Sequence, residues 1–111
     1  MKSLRHAILL TALALITTPC LVAVEEHDAI KPVPRQGGWM TRHQSFNKRV
    51  AEGNVDLVFI GDSITQGWEG GGKEVWATFY GKRNAVNLGI GGDRTQHVIW
   101  RLNHDNVKNI S

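Results

Sequence analysis

Residues Val55 to Thr65 read VDLVFIGDSIT and join a predicted strand to a predicted turn. Val55 to Ile60 is almost continuously apolar, which is typical of a parallel strand that is covered on both faces. The strand leads directly into Gly61-Asp62-Ser63, where the chain turns towards a helix. This order predicts a serine hydroxyl at the carboxyl end of a strand, the edge at which open α/β sheets bind their ligands.

A second stretch, Asn87 to Thr95, reads NLGIGGDRT and has the same organisation. We predict a short strand over Ala85 to Leu88, a tight bend over Gly89 to Gly92, and a helix to about His104. Asp93 or Thr95 is the expected cap of that helix. Its inward face is predicted to carry Val98, Ile99 and Leu102, with Trp100 partly covered.

Two further helices are predicted around these stretches. The first, Met40 to Glu52, ends before Gly53, and its inward face consists of Met40, His43, Phe46 and Val50. The second, Lys73 to Tyr80, has two turns and directs inward Val75, Trp76, Phe79 and Tyr80. Strands that alternate with helices predict an α/β fold, a three-layer α/β/α sandwich around a parallel sheet.

The first 23 residues are typical of a bacterial signal peptide. Lys2 and Arg5 precede an apolar run over residues 7–16 that is too short to span a bilayer, and Ala23 suits the position before a cleavage site. We therefore expect an exported protein, periplasmic or extracellular, without a stable membrane span. An uncleaved N-terminal anchor and a lipid-modified Cys20 are the alternatives.

Cleavage there leaves 88 residues, which form one small domain. Because Lys2 and Arg5 are removed and no acid is, the formal charge falls from +3 to +1 and gives no indication of nucleic acid or an anionic membrane as a partner. The single cysteine, Cys20, is also removed, so stability has to come from the hydrophobic core. We predict an extended lead-in with little structure of its own over residues 24–38, and the domain over residues 39–111.

The residues of the two loops suit serine chemistry. Hydrolysis of an ester needs a hydroxyl, a base that takes its proton, and donors that hold the oxyanion. Ser63 supplies the hydroxyl, and its own amide is a natural first donor. Gly92 is the candidate for a second, because a bend without side chains lets a backbone amide approach a substrate closely. Asp62 is a supporting residue; the structural alternative is that Gly61-Asp62-Ser63 is only a turn with a capping side chain.

The two stretches together resemble the SGNH (GDSL) hydrolase family, most closely its platelet-activating-factor acetylhydrolase-like esterase branch. The matching blocks are FIGDSITQ over Phe59–Gln66, with Ile64 where the family name has Leu, and NLGIGGDRTQHVIWRL over Asn87–Leu102. The resemblance implies a flavodoxin-like sandwich with Ser63 as the nucleophile and Gly92 as an oxyanion donor. It implies a serine ester hydrolase for small acyl esters, of lipids or O-acetylated carbohydrates, that needs no cofactor and no metal.

Two further blocks of the family have no counterpart in this sequence. A Gly-x-Asn-Asp-like block supplies an oxyanion asparagine in the family, and a late Asp-x-x-His supplies the base and its orienting acid. We therefore interpret residues 39–111 as the N-terminal part of an SGNH domain, with only the first two strands, and as inactive by itself. His97 and His104 are local candidates for a base, but the family uses the position of His97 for structure or pocket lining.

Local motifs leave other functions open. The tryptophans are candidates for a carbohydrate surface, which would make the protein a noncatalytic secreted binding domain, although Trp76 and Trp100 suit core positions better. Residues 67–74 match a phosphate loop, but Glu74 replaces the hydroxyl residue and no strand directly precedes them. Gly89-Ile90-Gly91 matches the first two glycines of a dinucleotide-binding fingerprint, but Arg94 occupies the position of the third glycine. No motif predicts a metal site. The candidate carbohydrate surface would be formed by the four tryptophans of the sequence, Trp39, Trp68, Trp76 and Trp100.

Overall fold

The structure is a computed structural model that describes residues 24–110, so the predicted signal peptide over residues 1–23 lies outside it. In chain order its elements are a 3₁₀-helix (Asp28–Ile30), α1 (Gly38–Ala51), β1 (Leu57–Gly61), α2 (Ser63–Gln66), a second 3₁₀-helix (Gly67–Glu69), α3 (Lys73–Phe79), β2 (Ala85–Gly89) and α4 (Thr95–Leu102). None of these helices is long and apolar enough to cross a membrane.

β1 and β2 form a two-stranded parallel sheet. Leu57 pairs with Ala85 at one end and Gly61 with Gly89 at the other, so both glycines lie at the carboxyl edge. The two strands are joined by α2 and α3, because parallel neighbours need a crossover connection. This alternation confirms the predicted α/β class and is consistent with part of a three-layer α/β/α sandwich.

The apolar core lies between α1 and one face of the sheet. Three of the four positions predicted for the inward face of α1 are buried; Met40 is only half-buried, and Trp39 takes its place. Gly53 follows the helix with a φ of +76°, the conformation that commonly ends a helix. The buried apolar residues are Trp39, Phe46, Val50, Val55, Val86, Leu88 and Ile90.

An aromatic cluster covers the opposite face of β1. Phe59 lies on that face, because the strand residues on either side of it pack against the core. Its ring centroid lies 4.8 Å from that of Tyr80, 5.0 Å from Trp76 and 6.3 Å from Trp68. All three contacts are edge-to-face, the arrangement that aromatic pairs prefer.

Two apolar residues of α3 are exposed, contrary to prediction. Val75 and Phe79 are 47% and 63% exposed, whereas Trp76 and Tyr80 enter the aromatic cluster. Each pair is four residues apart, so the two pairs form neighbouring stripes on the helix. A helix of only two turns against one sheet face buries one stripe and leaves the other in solvent.

α4 buries a charged residue, while an apolar residue predicted to face inward is exposed. Arg101 is fully buried, whereas Leu102 is 38% exposed. The difference follows from Asp93, whose buried carboxylate lies 2.9 Å from the Arg101 guanidinium. A hydropathy pattern treats the arginine as a surface residue and does not anticipate this partner.

The start of α4 is also capped differently from the prediction. Neither Asp93 nor Thr95 caps the helix; the amide of Arg94 instead donates to Nδ1 of His97 at 2.9 Å. Asp93 is unavailable as a cap because its carboxylate is directed into the core. The helix ends at Leu102, before the predicted end at about His104.

The lead-in is docked on the domain. It is mostly extended, and hydrogen bonds attach it to α4 and to the loop before α4. The amide of Val33 donates to the carbonyl of Gln96 at 3.2 Å, and Thr95 Oγ1 donates to the carbonyl of Ala29 at 2.7 Å. These contacts give the segment more structure than its sequence predicts.

Candidate active site

Ser63 is the first residue of α2 and follows β1 after a single intervening residue. That residue, Asp62, caps α2, because its Oδ1 accepts the amide of Ile64 at 3.0 Å. Ser63 itself is exposed. The serine therefore lies at the carboxyl edge of the sheet, as the sequence predicts.

The second loop, residues 90–94 between β2 and α4, leaves the sheet beside the first, the turn at Asp62 between β1 and α2. The amide of Ile90 donates to the carbonyl of Gly61 at 3.0 Å, one hydrogen bond beyond the paired strands. The chain then turns, with the amide of Asp93 donating to the carbonyl of Ile90 at 3.1 Å. Gly92 adopts a φ of +77° in this turn, a conformation that favours glycine.

Glycines allow the two loops to touch. A Cβ atom on Gly91 would lie 3.8 Å from the Cβ of Ser63 and 3.2 Å from Oε1 of Gln66. A Cβ atom on Gly89 would collide with the backbone of Thr65 and Gln66. The structure thus brings Ser63 and the glycine bend together, as a shared site requires.

Several backbone amides at this junction donate to no acceptor within the described residues, and those of Ser63 and Gly92 are among them. The amide of Ile64 is used by Asp62, and the amide of Gly91 donates to Oε1 of Gln66 at 2.6 Å. Within residues 24–110, by contrast, the amides of Ser63 and Gly92 donate to no acceptor. They are the donors that the sequence predicts for an oxyanion.

Three arginines from three segments donate to carbonyls at the end of β2 and in the loop that follows it. Arg35 of the lead-in donates to Gly91 O at 3.0 Å, and Arg42 of α1 donates twice to Gly89 O, at 3.0 and 2.9 Å. Arg101 of α4 donates to the carbonyl of the residue before Gly89 at 2.9 Å. Hydrogen bonds from a cation are stronger than neutral ones. Sequence reasoning missed these arginines.

The buried Asp93 carboxylate joins the loop to both helices. It accepts Trp39 Nε1 of α1 at 2.6 Å and Arg101 Nε of α4 at 2.9 Å. Arg101 also donates to Oδ1 of Asn106 at 2.8 Å. Burial lowers the pKa of the Arg101 guanidinium, and the neighbouring Asp93 opposes that shift. An arginine inside an apolar helix face, eight residues after an aspartate, is the signal that could have revealed this pair.

The local histidines are held by structural contacts. His97 accepts the Arg94 amide, and burial lowers its pKa. The His104 ring stacks on Trp100 at 3.7 Å, with its Nδ1 2.6 Å from the Trp100 carbonyl. Neither is hydrogen-bonded to Ser63, and within residues 24–110 no group of three or more His, Cys, Asp or Glu side chains is arranged to hold a metal.

A cavity in the described part of the chain lies away from Ser63. It has a volume of about 490 Å³ and runs along β2 between α1 and α3, with Trp68, Trp76, Phe46, Arg49 and Lys73 among its lining residues. Its two tryptophans also pack in the aromatic cluster. The phosphate-loop candidate borders this cavity, but residues 67–74 form a 3₁₀-helix, a turn and the start of α3 rather than a loop leaving a strand.

A parallel sheet whose first strand ends in Gly-Asp-Ser, beside a glycine bend from the second strand, is the arrangement of the SGNH (GDSL) hydrolases. No family model matches the chain. Individual relatives do, and the chain is homologous over most of its length to acetylhydrolase subunits.

Two relatives illustrate the match. The chain is 40% identical over 91 residues to platelet-activating factor acetylhydrolase IB subunit alpha1 of Homo sapiens, covering 78% of this chain and 38% of that protein. It is 38% identical over 72 residues to subunit alpha2 of Rattus norvegicus, covering 65% of this chain and 31% of that protein. The chain thus spans less than two fifths of the length of these curated relatives.

Proposed function

We propose that the protein is a serine ester hydrolase of the acetylhydrolase–esterase type, in which Ser63 carries the acyl group as an acyl-enzyme. The observation that supports this most directly is the position of Ser63 beside the glycine bend. A Cβ atom added to Gly91 would lie 3.8 Å from the Cβ of Ser63, and the amides of Ser63 and Gly92 are unengaged within residues 24–110. Homology to acetylhydrolase subunits over 78% of the chain supports the same reaction.

The proposed reaction has two steps. The Ser63 oxygen bonds to the acyl carbon while a base takes the hydroxyl proton, and the alcohol leaves with that proton. Water then attacks the acyl-enzyme in the same way, releases the acid and restores the serine. In both steps the amides of Ser63 and Gly92 hold the oxyanion, and one such donor is worth about 3 kcal/mol.

The base is expected outside the described residues. His97 and His104 are engaged with neighbouring backbone groups. The family resemblance assigns the base to a late Asp-x-x-His block and a further oxyanion donor to a Gly-x-Asn-Asp-like block. We therefore propose that activity needs both blocks and that the 111-residue chain alone is inactive.

The proposed substrates are small acyl esters, acetyl esters foremost. The relatives are acetylhydrolases by name, which supports a short acyl group. The alcohol is proposed to be a lipid or an O-acetylated carbohydrate. Export to the periplasm or the medium is proposed from the basic start, short apolar run and Ala23 of the sequence.

Hydrolysis of p-nitrophenyl acetate by the complete gene product tests the proposal. Ser63→Ala is expected to lower kcat at least about a thousandfold, as loss of a catalytic serine does. Ser45→Ala removes an exposed helical hydroxyl that donates to the Arg42 carbonyl, and serves as the matched control with unchanged kcat. Full activity in a folded Ser63→Ala variant would refute the proposal, and retained binding of a carbohydrate would favour a binding domain.

A further inference from the structure

We propose that Arg35 is a positioning residue that fixes the direction of the Gly92 amide. The inference rests on the proposed function, because it concerns the oxyanion donor of that reaction. Arg35 Nη1 donates to Gly91 O at 3.0 Å, although the two residues are 56 positions apart in the chain. The contact joins the lead-in, which carries no catalytic group, to the peptide that carries the proposed donor.

The geometry of the peptide bond makes this contact specific. The carbonyl of Gly91 and the amide of Gly92 belong to one planar peptide unit, and in the trans form they point in opposite directions. A donor that holds the carbonyl therefore also sets where the N–H points. A charged donor on the carbonyl additionally polarises the unit and strengthens the hydrogen bond that its N–H makes.

The orientation of the Gly91–Gly92 peptide unit depends on this hydrogen bond more than the orientation of the neighbouring peptide units does. It lies between two glycines, which leave backbone rotation freer than other residues do. Its N–H donates to no acceptor within residues 24–110, so the Arg35 contact is the bond that orients it there. Arg35 is itself oriented by the Asp93 carboxylate, 3.4 Å from Nη1.

Arg42 provides a matched control. It donates to Gly89 O, and so holds a peptide unit of the same strand end. The N–H of that unit belongs to Ile90 and is already fixed by its bond to the Gly61 carbonyl at 3.0 Å. Loss of Arg42 should therefore weaken folding without turning an oxyanion donor.

The test uses the complete gene product with p-nitrophenyl acetate and a trifluoromethyl ketone that mimics the tetrahedral intermediate. Arg35→Met is expected to lower kcat about tenfold, less than loss of a whole donor, and to weaken ketone binding by the same factor. KM should stay within about twofold, because the contact acts on the transition state. Added guanidinium should restore part of kcat, since the Arg35 side chain is 38% exposed and its site is accessible.

Arg35→Lys keeps the charge without the planar guanidinium fork and should fall between the wild type and Arg35→Met. This variant decides the question if Arg35→Met does not fold. Arg42→Met should lower the melting temperature and leave kcat and ketone affinity unchanged. Equal losses of kcat in the Arg35 and Arg42 variants, or unchanged ketone affinity in folded Arg35 variants, would overturn the inference. Activity in Ser63→Ala would instead overturn the proposed function itself.

Discussion

Arg101 carries a positive charge into the core of the protein. It is fully buried, and its guanidinium is satisfied by Asp93, by Asn106 and by the Leu88 carbonyl. Removing one member of a buried ion pair leaves the other charged and unpaired, which costs more than the pair itself contributes. The loop that carries Gly92 depends on this pair for its place beside α4.

We predict that Arg101→Met lowers the free energy of unfolding by about 3–5 kcal/mol. Urea unfolding of the purified complete gene product measures the loss. Arg94→Met, which replaces an exposed arginine, is the control. The double variant with Asp93→Asn should recover part of the loss, because it removes the unpaired carboxylate. Equal effects of Arg94→Met and Arg101→Met would contradict the role of the buried pair.

Gly92 combines a conformational requirement with a proposed chemical role. Its φ of +77° disfavours a side chain, and a Cβ atom there would lie 3.3 Å from Arg35 Nη1. We predict that Gly92→Ala lowers kcat of the complete gene product about a hundredfold, because the proposed oxyanion donor would be displaced. Assays of ester hydrolysis measure the effect.

Gly53→Ala is the matched control for Gly92→Ala. Gly53 has a φ of +76° and open space where a Cβ would lie. The backbone strain should therefore be similar in the two variants, on the order of 1–3 kcal/mol of stability. Only Gly92→Ala should change kcat, and a comparable loss of kcat in Gly53→Ala would show that strain alone explains the effect.

Helix α1 carries a buried histidine whose protonation is coupled to folding. The His43 ring stacks on Trp39 at 5.8 Å and lies 3.1 Å from the Asn106 amide. Burial, with the nearby Arg101 and His104, lowers the pKa of His43 below its ordinary value of 6.5. Burial also lowers the pKa of His97.

These shifts predict a loss of stability in acid. Because the unfolded chain binds protons more readily than the folded one, the free energy of unfolding should fall as the pH drops below about 6.5. Urea unfolding between pH 7.5 and pH 5 measures the slope, which His43→Gln should flatten. His27→Gln, at an exposed ring, is the control. An unchanged slope in His43→Gln would contradict the coupling.

The strands and α1 could be predicted because their signals are local. An apolar run and an amphipathic period each report burial within a few residues, and they located β1, β2 and the buried face of α1. α3 and α4 were less predictable. The exposure of Val75 and the burial of Arg101 depend on which partner each helix meets, and hydropathy along the chain does not report that partner.

In the candidate site, too, the residues in local motifs could be predicted and the residue that acts through a long-range contact could not. Ser63, Asp62 and Gly92 stand in two short motifs, so the sequence could nominate them, and their catalytic roles remain predictions. Arg35 could not be nominated, because its contact with Gly91 joins residues 56 positions apart and its own neighbours form no periodic pattern. Long-range hydrogen bonds to backbone leave no trace in a local motif.

The sheet of the described part has two strands, each with an unpaired edge. The family resemblance implies a third strand beside β1, whose Leu57 to Ile60 are only half-buried here. An open apolar edge favours aggregation. We predict that residues 24–111 produced alone are marginally stable, aggregate and lack esterase activity. A soluble product with cooperative thermal unfolding would contradict this.

Covalent labelling of the complete gene product with a fluorophosphonate, followed by peptide mass spectrometry, shows whether Ser63 is the nucleophile. Such a reagent captures an activated serine, and we predict one adduct, on Ser63, that is absent from Ser63→Ala and unchanged in Ser45→Ala. Protection by an acetyl ester substrate should slow the labelling. An active protein that labels at another residue, or hydrolyses esters while Ser63 stays unmodified, would contradict the assignment of Ser63 as the nucleophile.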